Sequence, residues 1–155
     1  MNEKLSKYVA LSEVTRSDNA KRLGIDNTPT DEHKENLKLV CSEIFDKVRE
    51  HFNIPIGISS GYRSKELNEA TPGSSSKSHH CTGQALDIDA DIFGGLTNKQ
   101  IFEYIHSNLE YNQLIWEFGD SINPDWVHAS YVKGNNKKQT LRAFRRNGKV
   151  IYEIW

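Results

Sequence analysis

The chain has 155 residues, 36% hydrophobic and 26% charged, which suits one globular domain over residues 1–155 and leaves no room for a second core. Its 20 basic and 21 acidic residues nearly cancel, so no bulk field recruits nucleic acid or an anionic membrane. Met1 to Thr15 alternates charged and apolar residues without a signal-peptide core or a membrane span, so we expect synthesis in a cytoplasm without an export signal and no membrane insertion.

In chain order, Ser12 before Glu13-Val14-Thr15 predicts a capped helix that runs to Leu23 and stops at Gly24. Residues 1–30 thus form an amino-terminal helix and turn packing on the core. Thr28-Pro29-Thr30-Asp31-Glu32 joins turn chemistry to acids that suit a helix amino terminus. Leu37, Val40, Cys41, Ile44, Phe45 and Val48 then recur at three- and four-residue steps, predicting a long scaffold helix to about His51. Ile54 to Ser59 reads as a strand, with Pro55 and Gly57 marking an edge or a close backbone approach, and it delivers Gly61-Tyr62-Arg63. Ser64 to Asn68 predicts a helical turn, and the loop Thr71 to Lys77 after it is of the kind that borders a cleft.

The densest chemistry lies between Ser78 and Asp89, where His79, His80, Cys81, Asp87 and Asp89 crowd together. Leu86 to Ala90 reads as a strand with Asp87 and Asp89 on one face. Gly83 permits a tight turn between a loop histidine and a strand aspartate, and Ala85 is small enough to leave space beside a metal. Zinc accepts nitrogen from His and oxygen from Asp, and a catalytic site keeps three protein ligands and one open position. Spacing alone does not choose between His79 and His80, and Cys81 is a further donor, expected to point away from the site. Cys41 and Cys81 lie on different kinds of element, which argues against a structural disulfide.

Thr97 with Gln100 forms a capping box before a helix whose apolar face is Ile101, Phe102 and Ile105. His33, His51 and His106 read as packed or exposed residues rather than ligands. Gln113 to Phe118 is a buried strand containing one acid, Glu117, which either meets a ligand histidine or the substrate, or occupies a solvent-facing position by alternation. Asn123-Pro124-Asp125 is a turn leading into a strand with Trp126, His128 and Ser130 on one face. His128 is thereby a third candidate ligand on a rigid element, and Asp125, still in the turn, is a candidate general base. Asn147-Gly148 between two strand-like runs predicts a hairpin over residues 139–155, with Arg142, Arg145, Arg146 and Lys149 making a basic edge.

Three of these elements form a pattern. Ser78, His80, Gly83, Ala85 and Asp87 spell Ser-x-His-x-x-Gly-x-Ala-x-Asp, Asp125 and His128 spell acid-x-x-His, and Ser60 to Ser64 reads Ser-Gly-Tyr-Arg-Ser. In this order they resemble the zinc D-Ala-D-Ala carboxypeptidase family of peptidoglycan peptidases, which shares its fold with vancomycin-resistance dipeptidases and the hedgehog signalling domain. Leu11 to Thr15, with Ser17, Ala20 and Gly24 to Asn27, is similar to the amino-terminal part of the phage-type, endolysin-like single-domain branch. The resemblance implies an α+β fold, a small mostly antiparallel sheet flanked by helices with a zinc cleft. It implies His80, Asp87 and His128 as Zn2+ ligands, Asp125 as the acid/base, and Arg63 as the group that holds the oxyanion. Many relatives carry Glu where this chain has Asp125, so the base here has the shorter reach.

The activity implied is hydrolysis of a peptide bond in bacterial peptidoglycan stem peptides by a monomer of bacteriophage type, acting on the cell wall after release. The alternative is a non-catalytic zinc-containing wall- or partner-binding module of the same fold. A base and an oxyanion group around an open metal position argue against it, because structural zinc sites are usually closed by four protein ligands. D-Ala-D-Ala carboxypeptidases, L-Ala-D-Glu endopeptidases and cross-bridge endopeptidases share this apparatus, and loops such as Thr71 to Lys77 and Phe93 to Leu96 would separate them.

Overall fold

Caps set the helix boundaries in the computed structural model, which describes residues 2–72, 74–75 and 77–155. The first predicted helix is two: α1 (Leu11–Thr15) and α2 (Asp18–Leu23). Ser17 makes the break, since its backbone is extended and its hydroxyl accepts from the Ala20 N–H at 3.1 Å, starting a new helix there. Ser12, the expected cap, lies inside α1, whose preceding residue is Ala10. Gly24 ends α2 in the left-handed region, as its position predicts.

The scaffold helix spans the expected range in three parts. α3 (Asp31–Val40), capped by the Thr30 hydroxyl, passes through a π-helical turn (Cys41–Phe45) into α4 (Asp46–Phe52). The stripe from Leu37 to Val48 is buried throughout. Asp46 is buried at the start of α4 and accepts from the Ser6 hydroxyl at 2.9 Å and the Lys7 and Tyr8 N–H groups, which fastens the amino-terminal segment to the scaffold.

After β1 (Gly57–Ser60) come the short α5 (Lys65–Glu69), β2 (Ala85–Asp89), α6 (Asn98–Asn108), β3 (Gln113–Glu117), β4 (Trp126–Ser130), β5 (Gln139–Arg146) and β6 (Lys149–Ile154). They form a sheet in the order β1-β2-β4-β3-β5-β6, antiparallel except between β3 and β5. β1 is an edge strand, as Pro55 and Gly57 suggested; a Cβ on Gly57 would also sit 2.5 Å from the Ile92 side chain. The predicted hairpin closes at Asn147 and Gly148, both with positive φ.

Alternation divides the sheet into two faces. Leu86, Ile88, Leu114, Trp116, Val127 and Ala129 join the α3–α4 stripe and Ile101, Phe102 and Ile105 of α6 in one buried cluster. Asp87, Glu117 and His128 alternate with these residues and belong to the opposite face, away from the helices. The α+β architecture is the expected one, with helices on one side of the sheet and the cleft on the other. No described helix is long and apolar enough to cross a membrane.

Candidate active site

The candidate metal centre is assembled by strand register and one tight loop. β2 pairs with β4 so that Asp87 lies opposite His128, which places both side chains on the same face. His80 arrives from a 3-10 turn (His79–Thr82) that ends at Gly83, where φ is 74° and a Cβ would collide with the His33 carbonyl of α3. The His80 Nδ1 lies 2.6 Å from the Gly61 carbonyl oxygen. A carbonyl only accepts, so Nδ1 carries the proton and Nε2 is left with its lone pair. Nε2 lies 3.3 Å from Asp87 Oδ1, and His128 Nδ1 lies 3.1 Å from the same oxygen.

These ligand atoms lie within 4.8 Å of one another. Metal–ligand bonds of about 2.0–2.1 Å in a tetrahedron put ligand atoms about 3.3 Å apart, so the cluster has the dimensions of a zinc site. Its chemistry fits too: a histidine lone pair facing a carboxylate oxygen is repulsive until a cation lies between them. Burial pushes the Asp87 carboxyl up, but the positive charge that protonated His80 and His128 rings would carry outweighs it and holds the group well below the usual carboxylate range; a cation between neutral rings would act in the same sense. Asp87 is thus ready to ligate as an anion. His79 and Cys81, the other donors in the motif, lie outside the converging group.

Arg63 is delivered by a bulge. β1 pairs Ile58 with Ile88 but Ser60 with Asp87, so one extra residue re-aims the chain as it leaves the strand. Gly61 then packs on α1, where a Cβ would come 2.6 Å from the Val14 carbonyl oxygen. Asn27 pins the loop: its amide donates to the Thr15 and Tyr62 carbonyls at 2.9 and 3.0 Å, and its oxygen accepts from the Ser64 N–H at 2.7 Å. The Arg63 N–H donates to the His80 carbonyl at 3.1 Å, tying the arginine to the metal loop. Its Nε is buried and has no partner among the described residues.

The triad opens into a cleft of about 610 Å³ that also reaches Arg63, His79 and Glu117. The loop Thr71 to Lys77 borders it through Thr71, Pro72, Ser74, Ser75 and Lys77; Gly73 and Ser76 lie outside the described residues. Arg145 and Tyr152 of the terminal hairpin form another wall, a role that their sequence pattern, a basic edge, did not reveal. Asp89 does not share the cleft with Asp87; it caps the following turn by accepting from the Asp91 N–H and from the Asn98 amide.

The two remaining carboxylates, Asp125 and Glu117, lie in different surroundings. Asp125 is exposed and forms no part of the cleft wall. Its backbone is fixed, with its N–H donating to the Glu117 carbonyl at 2.9 Å and its carbonyl accepting from the Asn98 amide at 2.9 Å. Glu117 is 7% exposed and faces the cleft, which excludes the solvent-facing reading of β3. Burial pushes its carboxyl up to about 7, against the pull of His128. The expected structural roles of the other histidines hold: His33 lies 3.2 Å from the Tyr62 hydroxyl, His51 stacks on Tyr104, and His106 packs between Phe102 and Trp155.

A family model described as Peptidase M15 matches residues 7–129. No curated protein matches the chain. The matched span runs from the segment that Asp46 fastens to the scaffold into β4, one residue short of its end, and so contains every residue of the candidate metal triad and the loop that carries Arg63. The chain therefore belongs to the peptidase M15 family, of the zinc D-Ala-D-Ala carboxypeptidase type.

Proposed function

We propose that the chain is a zinc endopeptidase that cuts within the stem peptides of bacterial peptidoglycan, in an endolysin-like role of cell-wall degradation. Family membership supports a zinc peptidase acting on peptidoglycan. The observation that favours internal cleavage over removal of a terminal residue is a cleft open past the metal. Across Arg63, Thr71 and Asp87 the cleft of about 610 Å³ is adjoined by a groove of about 700 Å³ between Arg16 to Asn19 and strand β1, and those three residues line both depressions. Each has the size of a pocket that holds a ligand of several residues. A peptide lying through both extends to either side of the metal, whereas a carboxypeptidase needs a pocket that ends just beyond the scissile bond. Arg16 in the groove is suited to the free carboxylates of stem peptides.

When bound by His80, Asp87 and His128, Zn2+ supplies a Lewis acid that polarises a carbonyl and makes water acidic enough to attack near neutral pH. The chain supplies the rest. Gly61 fixes the orientation of His80, and Arg63, which lines the same cleft, would donate to the substrate carbonyl oxygen as charge builds on it. The presence of Arg63 in the wall of the cleft that holds the triad supports this assignment. The hydrolysis also needs a carboxylate to take the proton of the attacking water. The resemblance assigns that step to Asp125, whose exposed side chain does not support it.

Mass spectrometry of purified peptidoglycan after digestion tests the reading, with a chelated sample and a zinc-restored sample beside it. We expect metal-dependent fragments whose masses correspond to cleavage inside the stem peptide. Release of terminal D-alanine alone would replace the endopeptidase by a carboxypeptidase. A protein that carries stoichiometric zinc and releases nothing from several wall types would be the binding module.

A further inference from the structure

We propose that Glu117 is the catalytic acid/base of this site; the inference rests on the peptidase reading above. Strand register carries it. β3 and β4 pair Ile115 with His128 and Glu117 with Trp126, while β2 and β4 pair Asp87 with His128. Residues opposite one another in antiparallel strands share a face, so Glu117, Trp126, His128 and Asp87 all face the cleft. Glu117 is the diagonal neighbour of His128, about 7–8 Å away between Cα atoms, a separation that a long side chain spans.

Asp125 lies elsewhere. It occupies the bend just before β4, where it is exposed and no part of the cleft wall. The Asp125 N–H is bonded to the Glu117 carbonyl and its own carbonyl to Asn98, so the backbone is not free to turn the side chain over.

Glu117 also lacks the marks of a structural carboxylate. It is 7% exposed, yet among the described residues no donor hydrogen-bonds its carboxylate and no cation forms an ion pair with it. A buried carboxylate held for packing alone would be paired. Nor is it a fourth ligand, because the ligand atoms that converge within 4.8 Å are those of His80, Asp87 and His128. A carboxylate beside an open metal position, neither ligating nor paired, is placed to handle the proton of a water there.

The step balances. As the water oxygen bonds to the carbonyl carbon, Glu117 Oε takes one of its protons; as the C–N bond breaks, Glu117 gives that proton to the amide nitrogen. The acid product sheds the second proton of the water to the same nitrogen, leaving a carboxylate and an ammonium group, and Glu117 returns to its anionic form.

The experiment compares wild type, Glu117→Gln, Glu117→Asp and Asp125→Asn on soluble stem peptides, measuring kcat, KM and bound zinc on each purified protein. We expect Glu117→Gln to retain stoichiometric zinc and a near-wild KM while kcat falls by about 10²–10⁴-fold. Glu117→Asp, which keeps the carboxylate, should recover part of that loss, and Asp125→Asn should lose far less than Glu117→Gln. A large kcat loss in Asp125→Asn with an active Glu117→Gln would return the role to Asp125 and overturn the proposal. Loss of zinc from Glu117→Gln would overturn it differently, making Glu117 a metal-holding residue. Failure of the peptidase reading shows elsewhere, as a zinc-loaded wild type that cleaves nothing.

Discussion

Arg63 and His80 show how much a single backbone carbonyl decides at this site. The His80 carbonyl holds the Arg63 N–H, and the Gly61 carbonyl holds the His80 ring, so Arg63 and His80 are positioned by each other's loops. Arg63 does not ligate, and its removal should spare the metal. Arg63→Ala is expected to keep its zinc and lose about 10²–10³ in kcat, the usual cost of deleting one oxyanion donor, when metal content and kinetics are measured together. Choosing between His79 and His80 was beyond spacing, since the two are adjacent; the hydrogen bond to Gly61 makes the choice, and it joins residues that lie nineteen apart. Glu117 was visible as an acid in an apolar strand, but alternation inside one strand could not say whether its face met solvent or a cleft. The neighbouring strands answer that, through β4 on one side and the hairpin wall on the other.

The bulged end of β1 and its loop set the position of Arg63 relative to His80 and Asp87. Asn27 is the fastening, and it comes from the connection after α2 rather than from the sheet. Asn27→Ala removes these hydrogen bonds and leaves carbonyl and N–H groups of the loop unpaired, so we expect about 2 kcal/mol less stability in chemical denaturation. It should also lower kcat, since misplacement of a positioning group by about 1 Å costs on the order of 100-fold. Full activity in a destabilised Asn27→Ala protein would show that the loop holds Arg63 without it. Elements with strong local signals were legible: the capping box at Thr97 and Gln100, the Asn-Gly hairpin, and the buried stripe of the scaffold helix. The break between α1 and α2 was missed, because Ser12 and Ser17 are both good caps and only one has an extended backbone. The π turn at Cys41–Phe45 was equally out of reach, since the apolar residues around it keep helical spacing.

Across the whole molecule, metal and fold support each other without being the same thing. The core cluster runs from Leu5 to Ala129 and excludes the triad, so the chain should remain folded when the metal is removed. Saturating zinc binds only the folded arrangement of the triad and should add about 4 kcal/mol at a thousandfold excess over its dissociation constant. That corresponds to roughly 10 °C in melting temperature for a domain of this size, to be lost on chelation and regained with zinc. An unchanged melting temperature on chelation would show that the triad holds no metal. Sequence by itself pointed to the family, the α+β class, and the candidate ligands and arginine that the fold brings to one cleft, because these reside in short motifs whose residue types and spacing are chemical requirements. Tertiary structure alone decided which carboxylate faces the cleft, that a second groove adjoins it across Arg63, Thr71 and Asp87, and that the terminal hairpin walls it. Those properties depend on strand order and register, which join Asp87, Glu117 and His128 across separate strands and are not encoded in any one stretch of chain.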